Sequence, residues 1–144
     1  MKRITIAVIG LGYVGLPLAI TLSKKFKVIG FDINFNRIKD LKLGNDKTLE
    51  IKKNQILKNK NIIFTNEIGL LSKCNFFIIA VPTPVLKNRL PDLRNLKNAS
   101  KIVGKCLKPN SVIVYESTVY PGVTEDICVP ILEKYSKLIY KKHF

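Results

Sequence analysis

The chain has 144 residues, 47% of them hydrophobic, and a formal charge of +15 from 25 Lys and Arg against 10 Asp and Glu. A domain of this length hides roughly two-thirds of the surface its unfolded chain exposes, so one sizeable core is the limit. Three cysteines without C-x-x-C spacing and a single histidine, His143, exclude a metal cluster built from them, and no apolar run is long enough to span a bilayer. The expectation is a soluble, cytoplasmic protein with reduced, buried thiols, no metal and no membrane partner.

Apolar runs alternate with amphipathic stretches from end to end, the pattern of βαβ units. In chain order the residues predict a strand over 4–9, a helix over 13–24, a strand over 27–31 and a helix over 34–42. A strand over 62–65, a helix over 66–73 and a strand over 76–81 follow. A helix over 92–107, a strand over 112–116 and a helix over 124–136 complete the series.

Three of the strands, "ITIAVI", "FFIIAV" and "VIVYE", are nearly continuous in apolar or β-branched residues, as strands covered by helices on both faces should be. The fold expected is α/β, a Rossmann-type doubly wound parallel sheet with helices on both faces, ending near its sixth strand. Val14, Leu18 and Leu22 give the first helix an apolar face, Pro17 sits in its first turn, and Gly44 stops the second helix. Residues 45–61 are polar and rich in Lys and Asn; a short helix near 49–57 fits them, with no function assigned.

Gly10, Gly12 and Gly15 form G-x-G-x-x-G directly after the first strand and at the opening of the first helix. The first glycine permits the tight turn, the second lets a pyrophosphate approach the backbone, and the third lets helix and strand pack closely. The helix N-terminus then offers N–H groups and partial positive charge to phosphates. Asp32 ends "KVIGFD" at the tip of the second strand, where a carboxylate accepts hydrogen bonds from ribose hydroxyls and repels a 2′-phosphate. Strand, glycines, helix and acid together predict a dinucleotide site that prefers NAD to NADP. A capping role for Asp32 at the helix over 34–42 is compatible with it.

Two further loops follow predicted strands, "VPTP" at 81–84 and "ESTVYPG" at 116–122. Prolines stiffen both, and Thr83, Ser117 and Thr118 offer hydroxyls to a cofactor crossing the sheet edge. Composition alone reads them equally well as turn residues capping the helices that follow.

The lysines are scattered through "SKKFK", "IKKNQILKNKN" and "YKKHF" without interleaved aromatics, which argues against nucleic acid as a partner. A positive field of this size attracts anionic cofactors and nucleotides.

The pieces "GLGYVGLPLA", "VIGFDIN" followed by Arg37, Leu41 and Gly44, "VPTP", "PDL" and "VYESTVYPGVTE" resemble the N-terminal NAD-binding domain of the UDP-glucose/GDP-mannose dehydrogenase family. Within it the chain is most similar to the UDP-N-acetyl-hexosamine 6-dehydrogenase branch, which includes enzymes of Vi-type capsular polysaccharide synthesis. The resemblance implies that Gly10, Gly12, Tyr13, Val14 and Gly15 surround the pyrophosphate and that Asp32 and Arg37 hold the adenosine ribose. Val81, Pro82, Thr83, Ser117 and Thr118 would line the path to the nicotinamide, with Thr118 also near the reacting carbon, helping to place water.

Members of the family oxidise the C6 alcohol of a nucleotide sugar twice, through cysteine-bound intermediates, and that chemistry demands an activated thiolate. The family's nucleophile lies in a later domain, as does its sugar pocket. Cys74, Cys106 and Cys128 have neither the neighbouring glycine-rich turn nor the Lys and Asp of that pattern. The expectation is a cofactor-binding part, inactive alone, that meets its nucleotide-sugar substrate only with the other domains, or else a module complementing a separately encoded catalytic half. The apolar stretch "CVPILEKYSKLIY" adds an expectation of self-association.

Overall fold

The computed structural model describes residues 4–87 and 89–144. Five parallel strands form one sheet: β1 (Thr5–Ile9), β2 (Lys27–Phe31), β3 (Ile62–Thr65), β4 (Phe76–Ile79) and β5 (Val112–Tyr115), in the order β3-β2-β1-β4-β5. The helices are α1 (Gly15–Leu22), α2 (Phe35–Lys42), α3 (Lys53–Leu57), α4 (Ile68–Leu71), α5 (Arg94–Cys106) and α6 (Val129–Ser136). This is the doubly wound α/β architecture the alternating pattern predicts.

Side chains alternate across the pleat, so β1, β2 and β4 each feed two cores, whereas β3 buries Ile62 and Phe64 on one face and exposes Ile63 on the other. Ala7, Ile9, Ile29, Phe31, Phe77 and Ile79 pack with Leu96, Val103 and Leu132 on one face of the sheet. Ile6, Val8, Val28, Ile62, Phe64 and Ile78 pack with Leu16, Ile20, Ile38 and Leu41 on the other. Burial on both faces is why the strands lack a polar alternation. Each fully buried Leu, Ile or Phe contributes roughly 1.5–3 kcal/mol, so the two cores fix the sheet before any loop is considered.

The chain leaves β1 toward β2 and β3, then returns to place β4 on the other side of β1. Helices therefore diverge above the β1–β4 pair, and ligands bind in such a crevice at the C-terminal ends of the strands. Register places the ends together: Ile9 pairs with both Phe31 and Ile79. Gly10, Asp32 and Ala80, the next residues, leave the sheet side by side.

Most element ends fall within one or two residues of those predicted, the scatter expected of fraying ends. The helix over 66–73 is shorter, as α4, and the polar segment holds α3 inside the range predicted for it. The helix over 124–136 opens differently, with a π-helical turn over Val123–Cys128 before α6. Pro130, in the first turn of α6, has no N–H for the carbonyl four residues back, and the wider turn absorbs the broken ladder.

Candidate functional site

A cavity of about 350 Å³ opens at the C-terminal ends of β1, β2 and β4. Gly10, Leu11 and Gly12 form its floor, Asp32, Ile33, Asn34 and Arg37 one side, Val81 and Pro82 another, and Asn95, Asn98, Ala99 and Ile102 of α5 the far wall.

The three glycines do different work. Gly10 has φ +92°, and a Cβ there would stand 2.9 Å from the Ala80 carbonyl oxygen. At Gly15 a Cβ would lie 1.8 Å from the Gly10 carbonyl oxygen, so α1 sits on the turn with no room for a side chain. At Gly12 it would meet no protein atom within 4 Å. Only at Gly12 is the missing side chain unexplained by the protein's own packing, and the space it leaves is on the cavity. The first turn of α1 has no side-chain cap and no acidic residue, so its N–H groups and dipole face that space without a protein anion.

Asp32 is held by two backbone donors: the Leu11 N–H reaches Oδ2 and the Asn34 N–H reaches Oδ1, each at 2.9 Å. A carboxylate has about four acceptor positions, so both oxygens retain capacity for hydroxyl donors from a ligand. Asn34 caps α2 by accepting the Arg37 N–H at 3.2 Å. That turn aims Arg37 back across the glycine loop, where its Nε donates to the Leu11 carbonyl at 2.8 Å and its Nη1 lies 2.8 Å from Asp46 Oδ1. The Arg37 side chain is only 10% exposed, and its Nη2 is buried with no hydrogen-bond partner among the described residues.

Asp46 anchors the loop after α2. Oδ1 accepts the backbone and hydroxyl donors of Thr48 at 3.0 and 2.7 Å, and Oδ2 accepts the N–H groups of Glu50 and Ile51, both at 3.0 Å. Burial pushes this carboxyl up, but the bonds from Thr48, Ile51 and Arg37 outweigh it and bring it down to about 2.

The loops after β4 and β5 are stitched to each other. Ser117 Oγ donates to the Val81 carbonyl at 2.6 Å and Thr83 Oγ1 to the Thr118 carbonyl at 2.7 Å, while Asn95 Nδ2 reaches the Pro82 carbonyl at 3.1 Å. The hydroxyls of Thr83 and Ser117 thus fix the loop pair. Thr118 itself is exposed.

Of the residues predicted from sequence, Gly10, Gly12, Asp32, Arg37, Val81 and Pro82 meet around the cavity. Gly15 lies behind its floor, Tyr13 and Val14 are 69% and 58% exposed beside Gly12, and Thr83, Ser117 and Thr118 lie in the stitched loops beyond Val81 and Pro82. The α5 wall was missed. Its signal is the spacing of Asn95, Asn98, Ala99 and Ile102, one helical stripe adjoining the core stripe of Leu96, Ser100 and Val103.

All three cysteines are buried and none lines the cavity. Burial pushes the Cys74 thiol up to about 12 and raises Cys106 and Cys128 as well, so none is an activated thiolate at neutral pH. Among the described residues no group of three His, Cys, Asp or Glu is placed to hold a metal, and no helix is long and apolar enough to cross a membrane.

The residues fit a dinucleotide on two counts: open space at Gly12 beside a helix N-terminus for the phosphates, and an acid with spare acceptor capacity next to an arginine with an unpaired donor for the ribose.

Comparison with known proteins gives the same family from sequence and from structure. The model of the UDP-glucose/GDP-mannose dehydrogenase family, NAD binding domain, matches residues 4–144. CapL of Staphylococcus aureus is 58% identical over 139 residues, covering 96% of this chain and 32% of CapL. The UDP-N-acetyl-D-glucosamine 6-dehydrogenase of Pseudomonas aeruginosa is 49% identical over all 144 residues, or 34% of that enzyme. Among solved structures, a UDP-D-ManNAc dehydrogenase of Pyrococcus horikoshii superposes with a TM-score of 0.88 at 33% identity, covering 96% of this chain and 34% of that one. The chain spans about a third of the length of the relatives it matches.

Proposed function

The chain belongs to the UDP-glucose/GDP-mannose dehydrogenase family as its NAD-binding domain, and from that premise we propose that it serves a UDP-N-acetyl-hexosamine 6-dehydrogenase of surface polysaccharide biosynthesis. The observation that carries the reading is the cavity itself, open at Gly12 and flanked by Asp32. Support for the substrate class comes from the identity to the P. aeruginosa UDP-N-acetyl-D-glucosamine enzyme along the whole chain.

In this reading Gly12 and the N-terminus of α1, with Tyr13 and Val14 at the rim, hold the pyrophosphate. Asp32 accepts from the adenosine ribose hydroxyls, and Arg37 closes that end. Val81, Pro82 and the stitched Thr83–Thr118 and Ser117–Val81 pairs guide the nicotinamide end, where the exposed Thr118 faces substrate and water. NAD supplies the hydride acceptor for oxidation of an alcohol; the chain's own part is to bind it, orient it and refuse anions at the ribose. The nucleophile of the family chemistry is not one of the three buried thiols, so this stretch alone turns over no sugar. A second reading, a module that works with a separately supplied catalytic half, rests on the same buried thiols; restored turnover on mixing the chain with such a half decides for it.

Self-association belongs to the proposal as well. Cys128 and Leu132 of the apolar stretch are buried, but Ile139 is 51% exposed. Sedimentation of a clean monomer at high concentration removes that element.

The test of the site is the unfolding midpoint with saturating NAD⁺ or NADP⁺. Ligand at about 100 times its dissociation constant adds roughly 2.7 kcal/mol, a shift of several degrees for a chain of this size. The expected result is a shift with NAD⁺ that NADP⁺ does not match and that Asp32→Ala loses. No shift with either ligand rejects the reading.

A further inference from the structure

We propose that Asp46 is a specificity-determining residue for the cofactor: by pairing with Arg37 it cancels the positive charge on the cavity wall and so helps exclude a 2′-phosphate from the adenosine ribose. The inference rests on the reading of the cavity as the NAD site.

Doubly wound domains that accept a 2′-phosphate do so with an arginine near the acid at the end of the second strand. Arg37, five residues after Asp32, is the only cationic side chain lining the cavity among the described residues. A free guanidinium there would welcome the phosphate that Asp32 repels. The Arg37 guanidinium is engaged on two sides, Nε donating to the Leu11 carbonyl and Nη1 ion-paired with Asp46, which leaves Nη2 as its one nitrogen without a partner among the described residues.

Asp46 in turn is built to stay where it is. Its side chain is 1% exposed, and four donors from Thr48, Glu50 and Ile51 fix both oxygens. The network runs on from Arg37 through Leu11, whose N–H reaches Asp32 Oδ2 at 2.9 Å. One guanidinium is thus paired directly with Asp46 and linked through the Leu11 backbone to Asp32, and the three charges sum to −1 beside the ribose. Neutralising Asp46 brings that sum to zero and leaves the guanidinium unopposed on one side. In surroundings less polarisable than water such a change is felt across neighbouring groups. This gives the polar loop over 45–51 a purpose its sequence does not disclose: it carries a counter-charge to a cation nine residues earlier.

The experiment is calorimetric binding of NAD⁺ and NADP⁺ to the 144-residue chain, natural and with Asp46→Asn or Asp46→Ser, the serine keeping an acceptor for Thr48. The expected result is a relative affinity for NADP⁺ over NAD⁺ that rises at least tenfold in either neutral variant that unfolds cooperatively. A merely structural Asp46 weakens both ligands alike. A smaller change in the ratio, or failure of both variants to unfold cooperatively, overturns the inference while NAD⁺ binding by the natural chain stands. Absence of NAD⁺ binding by the natural chain defeats the site reading itself, and this inference with it.

Discussion

A Cβ at Gly15 would stand 1.8 Å from a backbone oxygen, whereas one at Gly12 would touch no protein atom. The two glycines are three residues apart in one motif, yet they should fail differently. Gly15→Ala must push α1 off the turn, and we expect a loss of at least about 3 kcal/mol, at the severe end for one residue, measured by urea unfolding. Gly12→Val should leave the unfolding midpoint within about 3 °C, a change of no more than about 1 kcal/mol, and abolish the midpoint shift with NAD⁺. The glycines and Asp32 were legible in sequence because local geometry dictates them: a tight turn, a close helix and a strand tip all have fixed offsets. The pairing of Arg37 with Asp46 was not, since nothing in the spacing of nine residues says that the loop after α2 folds back to its first turn. Nor was the stitching of the two loops by Thr83 and Ser117, which only the hydrogen-bond geometry shows.

The segment from the end of β2 through residue 51 is held by Ile38 and Leu41 in the core and by polar contacts at both ends of α2. Asn34 caps α2, and Asn34→Ala should cost about 1 kcal/mol, read from the denaturant midpoint. Asp46 ties the following loop. Its folded pKa of about 2 lies below an unfolded value near 3.9, so its stabilisation is fully present above pH ~4 and is lost as pH falls through about 2. The natural chain should therefore lose more stability between pH 5 and about 2.5 than Asp46→Asn does, in denaturant titrations at each pH; equal losses contradict the assignment. At this scale the continuous apolar runs identify strands, but the four-residue spacing of Val14, Leu18 and Leu22 marks only the margin of the buried face of α1: Val14 is exposed, Leu18 and Leu22 are half-buried, and Leu16, Ala19 and Ile20 enter the core. The π-helical opening before α6 also escapes a reading by period, which is blind to one proline changing the hydrogen-bond register.

The molecule as a whole divides its labour by face. Two apolar cores clamp the sheet, and the C-terminal ends of β1, β2 and β4 are left to a ligand. The doubly wound parallel sheet followed from sequence because alternating apolar runs and helices admit few topologies, while its strand order is read from the structure. The α5 wall did not, because which of two adjoining helical stripes faces a cavity depends on how the helix is rolled against β4. The thiols belong wholly to the cores. Native chain should leave Cys74, Cys106 and Cys128 unreacted with a thiol reagent at pH 7.5 over minutes and yield all three on unfolding. Rapid labelling of any one in the native state would reopen its claim to chemistry.

The most direct measurement is a calorimetric titration of NAD⁺ into the 144-residue chain and into its Gly12→Val form. One cofactor bound per natural chain, with binding lost in a variant that unfolds at the same temperature, is the result the cavity predicts. Heat indistinguishable from dilution in the natural chain, or undiminished binding by Gly12→Val, would contradict the assignment of that cavity to the cofactor.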